Sequence, residues 1–116
     1  MKRRLIYVAH PVSGDVQGNL ARAKRWIHWI HSVRGAVPIA PWITDIESGE
    51  DDSDPIARAQ GLARCEYTVS RCDELWLVGG RISGGMRAEL NAAARAGIAI
   101  RDFTHLGAEP PEGDAP

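Results

Sequence analysis

Short apolar runs alternate along the chain with longer stretches in which apolar residues recur every three or four positions. Leu5 to Ala9 is a continuous apolar run, the pattern of a strand buried on both faces. From Leu20 the apolar residues fall at Leu20, Ala23, Ile27 and Ile30, which predicts a helix with a core-facing stripe running to about Val33. Asn19 is placed to cap that helix and Gly35 to stop it. Ala36 to Ala40 predicts a second strand, and Pro38, lacking an N–H, suits a sheet edge. Pro41 to Ser53 reads as an acidic loop. Asp54-Pro55 marks the start of a second helix running from Ile56 to about Arg71. A third strand (Glu74 to Val78), a third helix (Gly84 to Ala96, stopped by Gly97) and a fourth strand (Ile98 to Ile100) follow.

Strands alternating with helices predict an α/β fold with right-handed crossovers. The expected architecture is a small flavodoxin- or Rossmann-like three-layer sandwich on a parallel sheet of four to five strands. One domain spans residues 1–103. Residues 104–116 form a polar tail, and from about Gly107 its three prolines and three acids predict flexibility.

Composition narrows the class. At 116 residues there is material for one small domain, and a net charge of −1 excludes nonspecific binding to nucleic acid. Lys2, Arg3 and Arg4 precede an apolar run too short for a signal peptide or a membrane span, so a cytoplasmic protein away from membranes is expected. Cys65 and Cys72 are seven positions apart on one helix running into a strand. That separates them by about 10 Å, beyond the reach of a disulfide, so they are read as two buried thiols.

Parallel sheets bind ligands at the carboxyl ends of their strands. Those ends are His10–Gly18, Pro41–Ser53 and Gly79–Gly85, which hold many of the glycines and acids. The third loop leads from a strand into a helix, where free amides and the helix dipole favour an anion or a sugar. Candidate substrate contacts are His10, Ser13, Gly14 and Asn19 in and after the first loop, and Gly80, Ser83, Gly84 and Gly85 in the third. Glu89 reads first as a solvated acid that complements the dipole, and second as a carboxylate nucleophile at an anomeric carbon. Tyr7 reads first as a core tyrosine, and second as a hydroxyl that orients Glu89. The acids Asp45, Glu47, Glu50, Asp51, Asp52 and Asp54 lack the spacing of a calcium loop and read as solvated. His28 and His31 have no third ligand, so no metal is expected.

Taken together these residues resemble the nucleoside 2-deoxyribosyltransferase-like superfamily, over roughly residues 4 to 101. The run Ile6-Tyr7-Val8-Ala9-His10-Pro11-Val12-Ser13-Gly14, followed by Asn19, is similar to its opening strand and loop. Arg71-Cys72-Asp73-Glu74-Leu75-Trp76 resembles the lead into its third strand. Ser83-x-Gly85-x-x-x-Glu89 matches the spacing in 2′-deoxynucleoside 5′-phosphate N-hydrolases. The resemblance implies that Glu89 attacks the anomeric carbon, that Tyr7 positions it, and that Ser83 and Gly85 hold a 5′-phosphate. It implies no metal or redox cofactor. It also implies an aspartate near the end of the second helix to protonate the leaving base. Counting back from Asp73 puts Cys65 there, a poor general acid, and the adjacent Glu66 points about 100° away around the helix.

The leading expectation is a nucleotide N-glycosidase or deoxyribosyltransferase acting on a nucleoside 5′-monophosphate. The alternative is a nucleotide-binding or sensing module that kept the cradle and lost the acid. A third reading is an interaction protein that neither binds nor turns over nucleotides. A homodimer is expected because the core is small and Trp26 and Trp29 flank the stripe of the first helix and need cover. The resemblance adds that related enzymes complete their sites across subunits.

Overall fold

A computed structural model describes residues 2–51 and 53–116. Four parallel strands, β1 (Arg4–Ala9), β2 (Ala36–Ile39), β3 (Glu74–Leu77) and β4 (Ala99–Asp102), lie in the order β2-β1-β3-β4. Helices α1 (Val16–Ile30), α2 (Pro41–Glu47), α3 (Pro55–Arg71) and α4 (Gly84–Ala96) connect them, and a 3₁₀ turn at Thr104–Leu106 follows β4. β1 pairs with β2 through Arg4↔Ala36 to Tyr7↔Ile39, and with β3 through Ile6↔Glu74 to Ala9↔Leu77. Pro38 therefore lies on an edge strand, where its missing N–H costs least.

Adjacent residues of a strand face opposite sides of the sheet. Tyr7, Ala9, Leu75 and Leu77 pack with Cys65 and Val69 of α3 and Met86, Ala92 and Ala93 of α4. Ile6, Val8 and Trp76 pack on the other side with Trp26, Trp29 and Ile30 of α1. Helices cover both faces of an all-parallel sheet, giving the three-layer α/β fold that the periodicity predicted. Among the described residues no helix is long and apolar enough to cross a membrane.

Local chemistry moved some boundaries. α1 begins at Val16, capped by the Asp15 carboxylate, which accepts from the Gly18 amide at 3.1 Å. Asn19 is thus not the cap. It is buried inside the helix, and its Nδ2 donates to the Val12 carbonyl at 2.8 Å. Pro41–Ser53 is not all loop either, because Pro41 stands in the first turn of α2. Trp42, Ile43 and Ile46 turn that helix onto the core. Seven residues were too few to display a helical period.

Trp26 and Trp29 are buried within this chain, 0% and 5% exposed, so neither needs a second subunit to cover it. Their rings meet edge to face with centroids 5.2 Å apart, and Trp29 meets Phe103 at 5.6 Å. The C-terminal stretch, expected to be flexible, lies against α1. Trp26 Nε1 donates to the Ala108 carbonyl at 2.9 Å, Arg25 grips the Glu109 carboxylate with two nitrogens, and the Ala115 amide donates to Ser32 Oγ at 2.8 Å. Cys65 and Cys72 are buried free thiols.

Truncating a fully buried tryptophan leaves a cavity the surroundings fill poorly. Trp26→Ala should cost about 3–5 kcal/mol in urea unfolding. A loss below about 1 kcal/mol would show that the ring is not a core element.

Candidate functional site

Strand order reverses beside β1. The chain leaves β1 through α1 to reach β2 on one side, and returns through α2 and α3 to β3 on the other. A cleft opens at such a point, outside the carboxyl ends of the two diverging strands. Here it is a cavity of about 260 Å³. His10 and Ser13 line it from the loop after β1, Trp42 and Asp45 from α2, and Cys65 from α3. Ser83, Gly84, Gly85 and Glu89 line it from the start of α4.

Glu89 is the centre of this cavity. Met86, Glu89, Ala92 and Ala93 share the buried stripe of α4, so helical spacing turns the carboxylate inward, and it is only 6% exposed. The solvated first-turn acid is not what the fold contains. The Tyr7 hydroxyl, buried on β1, donates to Glu89 Oε2. Among the described residues Oε1 has no hydrogen-bond partner, which leaves it to the cavity. Burial pushes the Glu89 carboxyl up to about 7, against the lowering pull of the Tyr7 hydrogen bond, with a smaller push from Glu66. Tyr7 is raised far above the ordinary phenol range by burial and by the neighbouring carboxylate, so its proton stays on the hydroxyl.

Cys65 stands beside this pair. Its thiol shares a buried cluster with Tyr7, and burial raises it to about 11. The position that resemblance assigned to an aspartate therefore does face the cavity, but holds a protonated thiol. Glu66 lies off the cavity, 4.0 Å from Arg95.

Ser83 caps α4, its Oγ accepting from the Met86 amide at 3.3 Å, and its own O–H proton remains to donate. The amides of Gly84 and Gly85 are the first two of the helix and have no partner within it. A Cβ built on either glycine would meet nothing within 4 Å. Packing does not demand glycine there, and the bare backbone leaves room for a ligand. His10 is 3% exposed, with Nδ1 2.6 Å from the Pro11 carbonyl, which fixes the proton on Nδ1. Burial lowers its pKa, as do Arg22 and Arg81, so the ring is neutral at neutral pH. Among the described residues its Nε2 is buried without a partner. It lies so close to Gly79 that a Cβ there would stand 2.7 Å away, and Gly79 also holds φ +100°.

The remaining predicted contacts fall elsewhere. Gly14, Asn19 and Gly80 line a second, open cleft of about 420 Å³, and Ser13 belongs to both clefts. Sequence reasoning passed over Trp42, whose indole N–H donates to the Val8 carbonyl at 2.9 Å while its ring walls the cavity. Pro41 followed by apolar residues 42, 43 and 46 was the available signal. Asp45, Glu50 and Asp51 also reach the cavity. Arg64 ties down Asp45 at 3.4 Å and Glu50 at 2.6 Å, and Asp52 lies outside the described residues. Among the described residues no group of three or more His, Cys, Asp or Glu could hold a metal ion.

The family model of a domain of unknown function (DUF7768) matches residues 4–103. No curated protein matches the chain.

The raised Glu89 pKa has a consequence for stability. An acid whose folded pKa lies above its unfolded value near 4.5 stabilises the fold fully at low pH, and that contribution is lost as pH rises to about 7. Glu89→Gln carries no such loss. The variant should match the parent at pH 4.5 and gain up to roughly 3 kcal/mol over it at pH 8, read by urea unfolding. An equal difference at both pH values would mean that folding does not raise the Glu89 pKa.

Proposed function

Because the chain belongs to the DUF7768 family, whose description carries no activity, we propose a function from its cavity: cleavage of the N-glycosidic bond of a nucleoside 5′-phosphate, by hydrolysis or by transfer to another base. The observation that carries this reading is a nearly buried carboxylate held by one hydroxyl on one oxygen, with its other oxygen open to a cavity beside a helix N-terminus. The resemblance of Tyr7, Ser83, Gly85 and Glu89 to the nucleoside 2-deoxyribosyltransferase-like pattern supports it.

In this mechanism the 5′-phosphate rests on the Gly84 and Gly85 amides and the Ser83 hydroxyl. Glu89 Oε1 attacks C1′ as the bond from C1′ to the base nitrogen breaks, and the bonding pair leaves with the base. Tyr7 holds Oε2, so the nucleophile cannot rotate away. Water then adds at C1′ of the glycosyl ester and releases Glu89; its proton ends on the departed base. Another base in place of water gives transfer. Two displacements retain the configuration at C1′.

Cys65 favours a second reading, binding without turnover. A thiol raised to about 11 is a weak proton donor to a leaving base.

Incubation with the ribo- and deoxyribonucleoside 5′-monophosphates should release free base, and Glu89→Gln should reduce the rate by at least about 10³-fold. The nucleophile must be ionised, so kcat/KM should rise about tenfold per pH unit below 7 and level off above it. No release from any substrate, or full activity in Glu89→Gln, rules out the reaction. Calorimetric binding without release establishes the second reading.

A further inference from the structure

The second cleft lies on the other side of Ser13 from Glu89. Its walls are the loop after β1 (Pro11, Ser13, Gly14, Asp15), the loop after β3 (Gly79, Gly80, Arg81) and Gly107–Ala108 of the C-terminal stretch, with Asn19 and Arg22 from α1. One polar lattice sets both of its arginines. Arg22 Nη2 donates to Asn19 Oδ1 at 2.9 Å, Asn19 Nδ2 donates to the carbonyls of Val12 at 2.8 Å and Ser13 at 3.4 Å, and Arg81 Nη2 donates to that same Ser13 carbonyl at 3.3 Å. Among the described residues Arg81 has no carboxylate partner. Arg22 has only Asp15 at 3.6 Å, and Asp15 is mostly exposed and engaged in capping α1.

Two guanidinium groups thus line a trough together with Gly14, Gly79, Gly80 and Gly107, and their field reaches His10 in the first cavity. We propose that the second cleft is a phosphoryl subsite continuous with the first cavity across Ser13, so that the ligand class is a nucleoside 5′-diphosphate or a longer phosphate ester. This rests on the nucleotide reading of the first cavity. The α4 terminus takes the phosphoryl group next to the sugar, and Arg22 and Arg81 take the next one. Guanidinium donors match phosphate oxygens in pairs, and a second phosphoryl group offers both arginines more negative charge than the single carboxylate of Asp15, 3.6 Å from Arg22.

The test is calorimetric titration at low salt without divalent cations, using the 5′-mono- and diphosphates of each common nucleoside, with inorganic phosphate and pyrophosphate as base-free probes. Diphosphates should bind about tenfold tighter than their monophosphates, and the increment should shrink as salt screens it. Arg81→Ala, in an exposed loop, and Arg22→Gln, which keeps a donor for Asn19, should each remove most of that increment and leave monophosphate affinity unchanged. Equal affinity for mono- and diphosphates, or an increment indifferent to both variants, overturns the proposal. Base release from monophosphates with no diphosphate preference overturns the subsite and leaves the reaction standing. A diphosphate preference without base release supports the subsite and removes the reaction.

Discussion

β1 is paired along both edges and buried on both faces, and the rest of the molecule is placed by that constraint. A central parallel strand must satisfy its backbone in two ladders while its side chains feed two separate cores. Ile6 and Val8 meet α1 and its tryptophans, whereas Tyr7 and Ala9 meet α3 and α4. The one polar side chain in this apolar run is Tyr7, and a buried hydroxyl requires a partner. Glu89, 82 residues further along, supplies it. The loop leaving β1 then forms the wall shared by both clefts.

The electrostatics of the cavity follow from the same burial. Burial favours the neutral form of Glu89, and a single hydroxyl opposes that preference. The balance falls near neutrality, where a carboxyl group is partly ionised and a modest change of surroundings alters its charge. Cys65 adds a third member, a thiol beside the Tyr7 hydroxyl that keeps its own proton. An aspartate there would place a second carboxyl group near Glu89 and raise its pKa further, so thiol and acid give different cavities.

The C-terminal stretch belongs to the same construction. Gly80 turns with φ +88°, and a Cβ there would come within 3.0 Å of the Ala108 amide nitrogen. The glycine loop after β3 is thus backed by the segment that Trp26 and Arg25 hold against α1. Packing on the far face of the sheet in this way supports the loop that carries Arg81 and leads into the Ser83 cap.

The order of strands and helices was legible because apolar period is a local property: a continuous run at Leu5–Ala9 and spaced positions at Leu20, Ala23, Ile27 and Ile30 each report their own element. Ser83, Gly85 and Glu89 were legible as a group because they lie within one turn and helix. The short helix carrying Trp42 was hidden by its length, and the ordered tail by its polar composition. Local pattern was equally silent on which face Trp29 would find, since that depends on Trp76 of β3 and Phe103 just after β4. Asn19 looked like a cap or a ligand contact, yet became the brace between Val12, Ser13 and Arg22 through a loop geometry no local pattern encodes. The sequence by itself determined the order of the strands and of the three longer helices, and that Ser83, Gly85 and Glu89 share one turn and helix. Only the tertiary structure decided that Tyr7 meets Glu89, that Cys65 joins them, and that two arginines share one rim, because contacts between residues far apart in the chain are set by how elements pack.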